Sequence, residues 1–122
     1  MLARKHAVTA ARLLFWFALA FALFMAWVPH PPPVPGNPVD KVQHMLAFGT
    51  LTILACAGYP GADLLRTGER LSFVGALIEV VQAIPALHRD CDIRDWAADT
   101  LIVAVVLVIV WVWRKRAARD PR

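Results

Sequence analysis

Four apolar stretches, Leu13 to Val28, Met45 to Tyr59, Leu71 to Leu87 and Trp96 to Trp113, alternate along the chain with short segments that hold most of the charge. Each stretch is close to the lower end of the roughly 17 to 25 residues that a helix needs to cross a hydrocarbon core. Polar residues do not recur at a helical period within them, so each predicted helix is apolar all round instead of along one stripe. A water-soluble bundle would bury one stripe per helix and keep the other faces polar. The pattern therefore predicts an all-α fold, a four-helix transmembrane bundle with helices at about 12–29, 40–59, 70–87 and 94–113. At 122 residues, with so little chain between the stretches, residues 1–122 form one domain.

Between the first two stretches lies VPHPPPVPGNP, which cannot continue a helix and reads as a semi-rigid extended loop. A basic start followed by an apolar run has the outline of a cleaved signal peptide, but the small-residue cleavage site expected of one is missing. The first stretch is thus read as a retained span.

Composition agrees with the pattern: 59% of the residues are hydrophobic and 18% charged, against roughly 25% charged in ordinary soluble domains. The distribution of charge sets the orientation. Of thirteen Lys and Arg residues, ten lie before the first stretch (Arg4, Lys5, Arg12), between the second and third (Arg66, Arg70) or after the fourth (Arg114, Lys115, Arg116, Arg119, Arg122). Lys41, Arg89 and Arg94 fall on the other side. Cytoplasmic segments retain positive charge, so both termini and the middle loop are expected in the cytoplasm. Trp27, Trp96, Trp111 and Trp113 mark stretch ends, where interfacial rings sit. The net charge of +4 is first a topology signal; the basic residues flank helices and form no patch with interleaved aromatics, so no nucleic-acid partner is expected. The expected partner is membrane lipid. Cys56 and Cys91 fall at opposite ends of the bundle, which excludes a disulfide between them.

Candidate chemistry lies in the polar residues that interrupt the apolar runs, because ionisable groups inside a membrane are costly and face the bundle interior or a cavity. Asp40, Lys41 and His44 head the second helix; Asp40 can cap it, and His44, four residues on, shares its face. Glu79 and Gln82 lie three apart on the third helix, followed by Pro85, and Glu79 needs a partner or a proton there. Arg89, Asp95 and Asp99 follow, with Asp95 at the start of the fourth helix, where a carboxylate is stabilised, and Asp99 one turn later. The predicted topology brings all three groups to the outer side. His44, Glu79, Gln82, Arg89, Asp95 and Asp99 are therefore expected to line one polar pocket.

In order and spacing these residues resemble the VanZ-like membrane proteins. That family shows D-K-x-x-H with a following aromatic, here Asp40, Lys41, His44 and Phe48; then E-x-x-Q, here Glu79 and Gln82; then a proline, an arginine, an aspartate six residues on and an asparagine or aspartate four further, here Pro85, Arg89, Asp95 and Asp99. The likeness covers residues 40–99. The family often carries asparagine at the position of Asp99 and a glycine soon after, where this chain has Thr100, Leu101 and Ile102, and the segment from Gln82 to Arg89 is about one residue longer here. The resemblance implies a multi-pass protein of the bacterial plasma membrane and cell envelope, in a family associated with teicoplanin resistance, and it supplies no reaction and no cofactor.

Three functional classes fit these residues. In the first, Lys41, Gln82 and Arg89 bind an envelope lipid phosphate or another anionic ligand, with Asp40, Phe48 and Pro85 as framework. In the second, His44 or Glu79 serves as general acid or base on a lipid-linked or glycopeptide substrate, with Asp95 and Asp99 orienting it; a variant has His44, Glu79, Asp95 and Asp99 ligating a divalent metal. In the third, the polar groups only tie helices together. No HExxH, GxSxG or glycine-rich phosphate loop is present to favour the enzyme.

Overall fold

A computed structural model describes residues 2–27, 38–83 and 93–119, apart from the side chains of residues 38–41 and 82. It holds four helices and, among the described residues, no strand: α1 (Leu2–Trp27), α2 (Pro38–Gly58), α3 (Leu64–Gln82) and α4 (Ile93–Arg119). At 1.5 Å per residue they are about 39, 31, 28 and 40 Å long. α1 and α4 are each long and apolar enough to cross a membrane, and α2 contains a shorter apolar helix, Val42–Gly58.

The helices run up, down, up, down. Arg12 of α1 donates from Nε to the Gly58 carbonyl at the end of α2, and Arg114 of α4 donates from Nη2 to the Cys56 carbonyl at 3.2 Å. Trp96 of α4 donates to the Ser72 carbonyl of α3 at 3.0 Å, while Gly68, a turn earlier on α3, lies against Leu107 further along α4. α2 is packed between α1 and α4, and α4 between α2 and α3. The core joins Phe15, Ala26, Phe48, Leu51, Ala55, Leu71, Ile78 and Val103. Phe48, Leu51 and Ala55 fall at helical spacing along one face of α2, which is why that face is the buried one.

Several helix bounds differ from those expected. α1 starts near residue 2 instead of 12, because LARKHAVTAA is rich in strong helix formers although it is too polar to count as an apolar run. α2 opens on Pro38, which suits the first helical position. α3 starts at Leu64 instead of 70: Asp63, in extended backbone, caps it by accepting from the Leu65 N–H at 3.0 Å. It ends at Gln82 instead of 87, in a turn where the Ala83 N–H reaches the Glu79 and Val80 carbonyls. α4 continues through its basic residues to Arg119 instead of stopping at 113.

Two tryptophans have partners within the bundle. Half-buried Trp27 packs on the core, and Trp96 ties α4 to α3 through the Ser72 carbonyl, beside a 2.9 Å hydroxyl pair between Ser72 and Thr100. Trp111 and Trp113 are exposed, and the Lys115 ammonium sits 4.2 Å over the Trp111 ring. Cys56 is buried, whereas Cys91 and the proline-rich segment 28–37 lie outside the described residues.

α2 meets α1 closely at Gly58. A Cβ at Gly58 would lie 3.0 to 3.2 Å from the Cγ, backbone N and Cα of Arg12, and backbone cannot swing aside. At Gly68 the obstacle is the tip of the Leu107 side chain, at 2.7 Å, which can rotate. Gly58→Ala is expected to destabilise the detergent-solubilised protein by about 1–3 kcal/mol and Gly68→Ala by clearly less, read by thermal unfolding. Equal effects would mean that the two helices do not meet at Gly58 as described.

Candidate functional site

Among the described residues, the polar or charged side chains in the buried class are Thr52, Glu79 at 6% exposure and Asp99 at 2%. Thr52 is accounted for locally, its hydroxyl donating to the Phe48 carbonyl at 2.7 Å within α2. The two carboxylates are not a local matter. Glu79 lies in the last turn of α3 and Asp99 in the second turn of α4, and because these helices are antiparallel neighbours, the carboxylates come within electrostatic reach of one another. Asp95, half-buried one turn before Asp99, adds a third carboxyl group to the same neighbourhood. Its place in the first turn of α4 lets the positive end of the helix stabilise it.

Asp99 is the sharpest feature of this group. Its Oδ1 is enclosed and has no hydrogen-bond partner among the described residues. An enclosed carboxylate oxygen without a donor costs free energy that the rest of the fold must offset. What such an oxygen does chemically is accept: from a hydroxyl, an ammonium or a guanidinium brought to it.

His44 occupies a different wall. It lines, with Gln43, a cleft of about 510 Å³ between α1 and α2, bounded also by Ala18, Phe21, Ala22, Met25, Ala26, Leu46, Ala47, Phe48, Thr50, Leu51 and Ile78. Phe48, 3% exposed, lines this cleft and also meets Gly75, where the Trp96 ring approaches as well. Phe48 and Ile78, the neighbour of Glu79, thus stand between the cleft and α4. Glu79, Asp99 and Asp95 thus share one neighbourhood where α3 meets α4, and His44 lines the cleft between α1 and α2, whose lining includes Ile78, the chain neighbour of Glu79.

The metal variant is corrected by the same geometry. Among the described residues no three His, Cys, Asp or Glu side chains come together to hold a metal ion, so His44, Glu79, Asp95 and Asp99 are not one ligand set. Pro85 and Arg89 lie outside the described residues, as do the side chains of Asp40, Lys41 and Gln82; the backbones of Asp40 and Lys41 are in the first turn of α2, and Gln82 is the last residue of α3.

Sequence reasoning passed over the residues that fix the other end of the bundle. Arg12, read only as a topology signal, also lies 4.7 Å from the Tyr59 ring, and Trp16 donates to the Tyr59 hydroxyl at 2.8 Å. The available signal was the placement of Arg12 and Arg114 at the margins of apolar runs, level with the end of α2.

No protein-family model, no curated protein and no solved structure matches this chain.

Proposed function

We propose that this chain is a VanZ-like protein that crosses the bacterial plasma membrane four times, with both termini in the cytoplasm, and binds an envelope lipid or another anionic ligand in a polar pocket at its outer end. The observation that carries this reading is the inversion of polarity in the bundle: carboxylates Glu79 and Asp99 are inside, while Phe17, Phe73, Val80, Ile109 and Trp113 are each more than 60% exposed. Only 11% of the apolar window of α1 and of α4 is buried in the bundle, whereas the core helix of a soluble protein is mostly buried. Lipid is the solvent that suits such a surface.

The chemistry of an envelope lipid suits the polar residues of this chain. Its phosphate answers Lys41 and Arg89, and its hydroxyl or ammonium donors answer the Asp99 Oδ1. The association of the resembling family with teicoplanin resistance fits a role at the outer surface of the membrane. The meeting of Glu79 and Asp99 favours one second reading, a membrane enzyme that uses this pair for proton transfer on a lipid-linked or glycopeptide substrate.

Topology is tested with reporters: a fluorescent protein fused to either terminus should fluoresce, and alkaline phosphatase inserted within residues 28–37 or 84–92 should be active. Reversed signals at all four positions would sink the orientation. Ligand class is tested by native mass spectrometry of the detergent-released protein. Loss of a co-purifying phospholipid in Arg89→Ala, with Glu79→Gln retaining it, supports binding; accumulation of an unprocessed lipid-linked molecule on Glu79→Gln supports the enzyme.

A further inference from the structure

At the end of the bundle opposite the carboxylates, Arg12, Trp16 and Tyr59 form a fixed cluster with donors left over. Arg12 spends its Nε on the Gly58 carbonyl, and its guanidinium lies over the Tyr59 ring, 4.7 Å from the centroid. Neither of its Nη groups has an acceptor among the described residues, and no described carboxylate pairs with it. Asp63, four residues beyond Tyr59, is engaged in capping α3. The Tyr59 hydroxyl oxygen accepts from the Trp16 indole at 2.8 Å, so its own proton is left to donate, and it has no acceptor among the described residues. Buried Phe15 holds both rings edge-on, with centroids 5.1 Å from Trp16 and 6.5 Å from Tyr59. The Tyr59 backbone is bonded on both sides, to the Ala55 carbonyl and the Ala62 N–H. Donors fixed in this way before a ligand arrives lower the cost of binding one. Arg12 also stands where the first apolar stretch begins, and Trp16, Ala20 and Phe24 follow it on α1 at every fourth residue, all exposed, over about 18 Å.

We propose that Arg12 and Tyr59 bind the phosphate of an anionic membrane phospholipid, whose chains lie along the exposed ridge of α1 that runs from Trp16 to Phe24. The proposal rests on the membrane reading above and is independent of the outer pocket. A guanidinium edge beside a hydroxyl proton offers donors alone, and phosphate oxygens are acceptors that a guanidinium meets in pairs. Free phosphate has no use for an apolar ridge; a lipid does, and the ridge starts where the donors end. The surroundings select an anionic head group over a zwitterionic one. Arg4, Lys5, Arg66 and Arg70 are exposed at this end and α4 adds Lys115, Arg116 and Arg119, against Asp63 and Glu69, so a choline or ethanolamine ammonium would be repelled.

The test uses the full chain in a non-ionic detergent, stripped of native lipid and titrated with phosphatidylglycerol, phosphatidylcholine or inorganic phosphate, with bound mass read by native mass spectrometry and helicity by circular dichroism. Wild type should bind phosphatidylglycerol more tightly than phosphatidylcholine and take up no inorganic phosphate over the same range. Tyr59→Phe keeps the ring under Arg12 and removes the hydroxyl; Arg12→Lys keeps the charge and removes the fork. Each should weaken phosphatidylglycerol binding about tenfold or more. Neither changes the net charge, so attraction by the basic end alone predicts no effect of either. If Arg12→Lys, which also loses the tie to Gly58, fails to fold, Tyr59→Phe decides. Arg119→Gln lowers the charge of this end outside the cluster and should weaken binding less than either. Binding unchanged in Tyr59→Phe and in folded Arg12→Lys, or weakened more by Arg119→Gln than by them, overturns the proposal. Inorganic phosphate bound as tightly as phosphatidylglycerol overturns the lipid as the source of the phosphate. A lipid lost with Arg89→Ala but kept in both cluster variants belongs to the outer pocket and overturns this site, whereas loss with Tyr59→Phe and retention in Arg89→Ala supports it. The membrane reading fails separately: it falls if alkaline carbonate strips the wild-type chain from vesicles.

Discussion

Asp99→Asn is expected to raise the stability of the purified protein by about 1–3 kcal/mol while weakening its hold on a lipid ligand by roughly ten- to a hundredfold. The two signs come from the same atom. In the free protein Asp99 is 2% exposed, faces the carboxyl groups of Glu79 and Asp95, and has an enclosed Oδ1 without a donor among the described residues. Asparagine keeps the volume and cannot ionise, so the cost of enclosing a charged group is removed together with any repulsion across the α3–α4 contact. With a ligand bound, the carboxylate is the stronger acceptor for a hydroxyl or ammonium group, and a hydrogen bond to a charged group lost there weakens binding. Gain of stability with loss of function is the pattern of a site held strained for its task. A structural tie predicts the opposite sign: breaking a satisfied buried ion pair costs about 3–5 kcal/mol. Thermal unfolding of wild type, Asp99→Asn, Glu79→Gln and the double variant decides between them, and because the two carboxylates feel each other the gains should be less than additive. A destabilised Asp99→Asn that still binds lipid would end the ligand-pocket reading and leave the assembly role.

Much of this was legible because carboxylates in apolar runs are conspicuous. Glu79 and Asp99 stand out on cost alone, and the alternation of apolar stretches and basic segments gave the number and order of the helices. What the chain did not disclose was the rotation of α2. His44 and Phe48 lie four apart on one helix face and both line the α1–α2 cleft, yet Phe48 also reaches through to Gly75 of α3. Which neighbour a face meets is settled by packing of all four helices, and spacing within one helix carries no information on it. The helix ends failed for a different reason: hydropathy marks the length that suits a membrane, whereas helix formation depends on propensity and caps. Asp63 before Leu64 was a readable N-cap, obscured by beginning the third helix from its apolar residues. The tie that Trp96 makes to α3 was not readable because its acceptor, the Ser72 carbonyl, is 24 residues away in sequence.

The opposite end of the bundle yields the second large effect. Replacing Arg12 and Arg114 together by methionine is expected to lower stability by about 2–4 kcal/mol without changing orientation in the membrane. The last carbonyls of a helix lack partners within it, and in α2 two of them are met by guanidinium groups from the helices on either side, Gly58 by Arg12 across 46 residues and Cys56 by Arg114 across 58. Both cations also face the negative end of the α2 dipole. Methionine preserves much of the aliphatic packing but removes the donors, leaving two carbonyls to find water or go unpaired at the rim of the bundle. The acceptors are distinct, so the two single variants should sum to nearly the double. Orientation should survive, because ten Lys and Arg residues lie on the side proposed to be cytoplasmic and removing two leaves eight against three. Thermal unfolding in detergent reads the first effect, and a fluorescent protein at the C-terminus reads the second. Unchanged stability with a dark C-terminal reporter would make these arginines orientation signals alone and would detach the end of α2 from its neighbours; lost stability with a bright reporter separates the two roles and assigns both arginines to the fold.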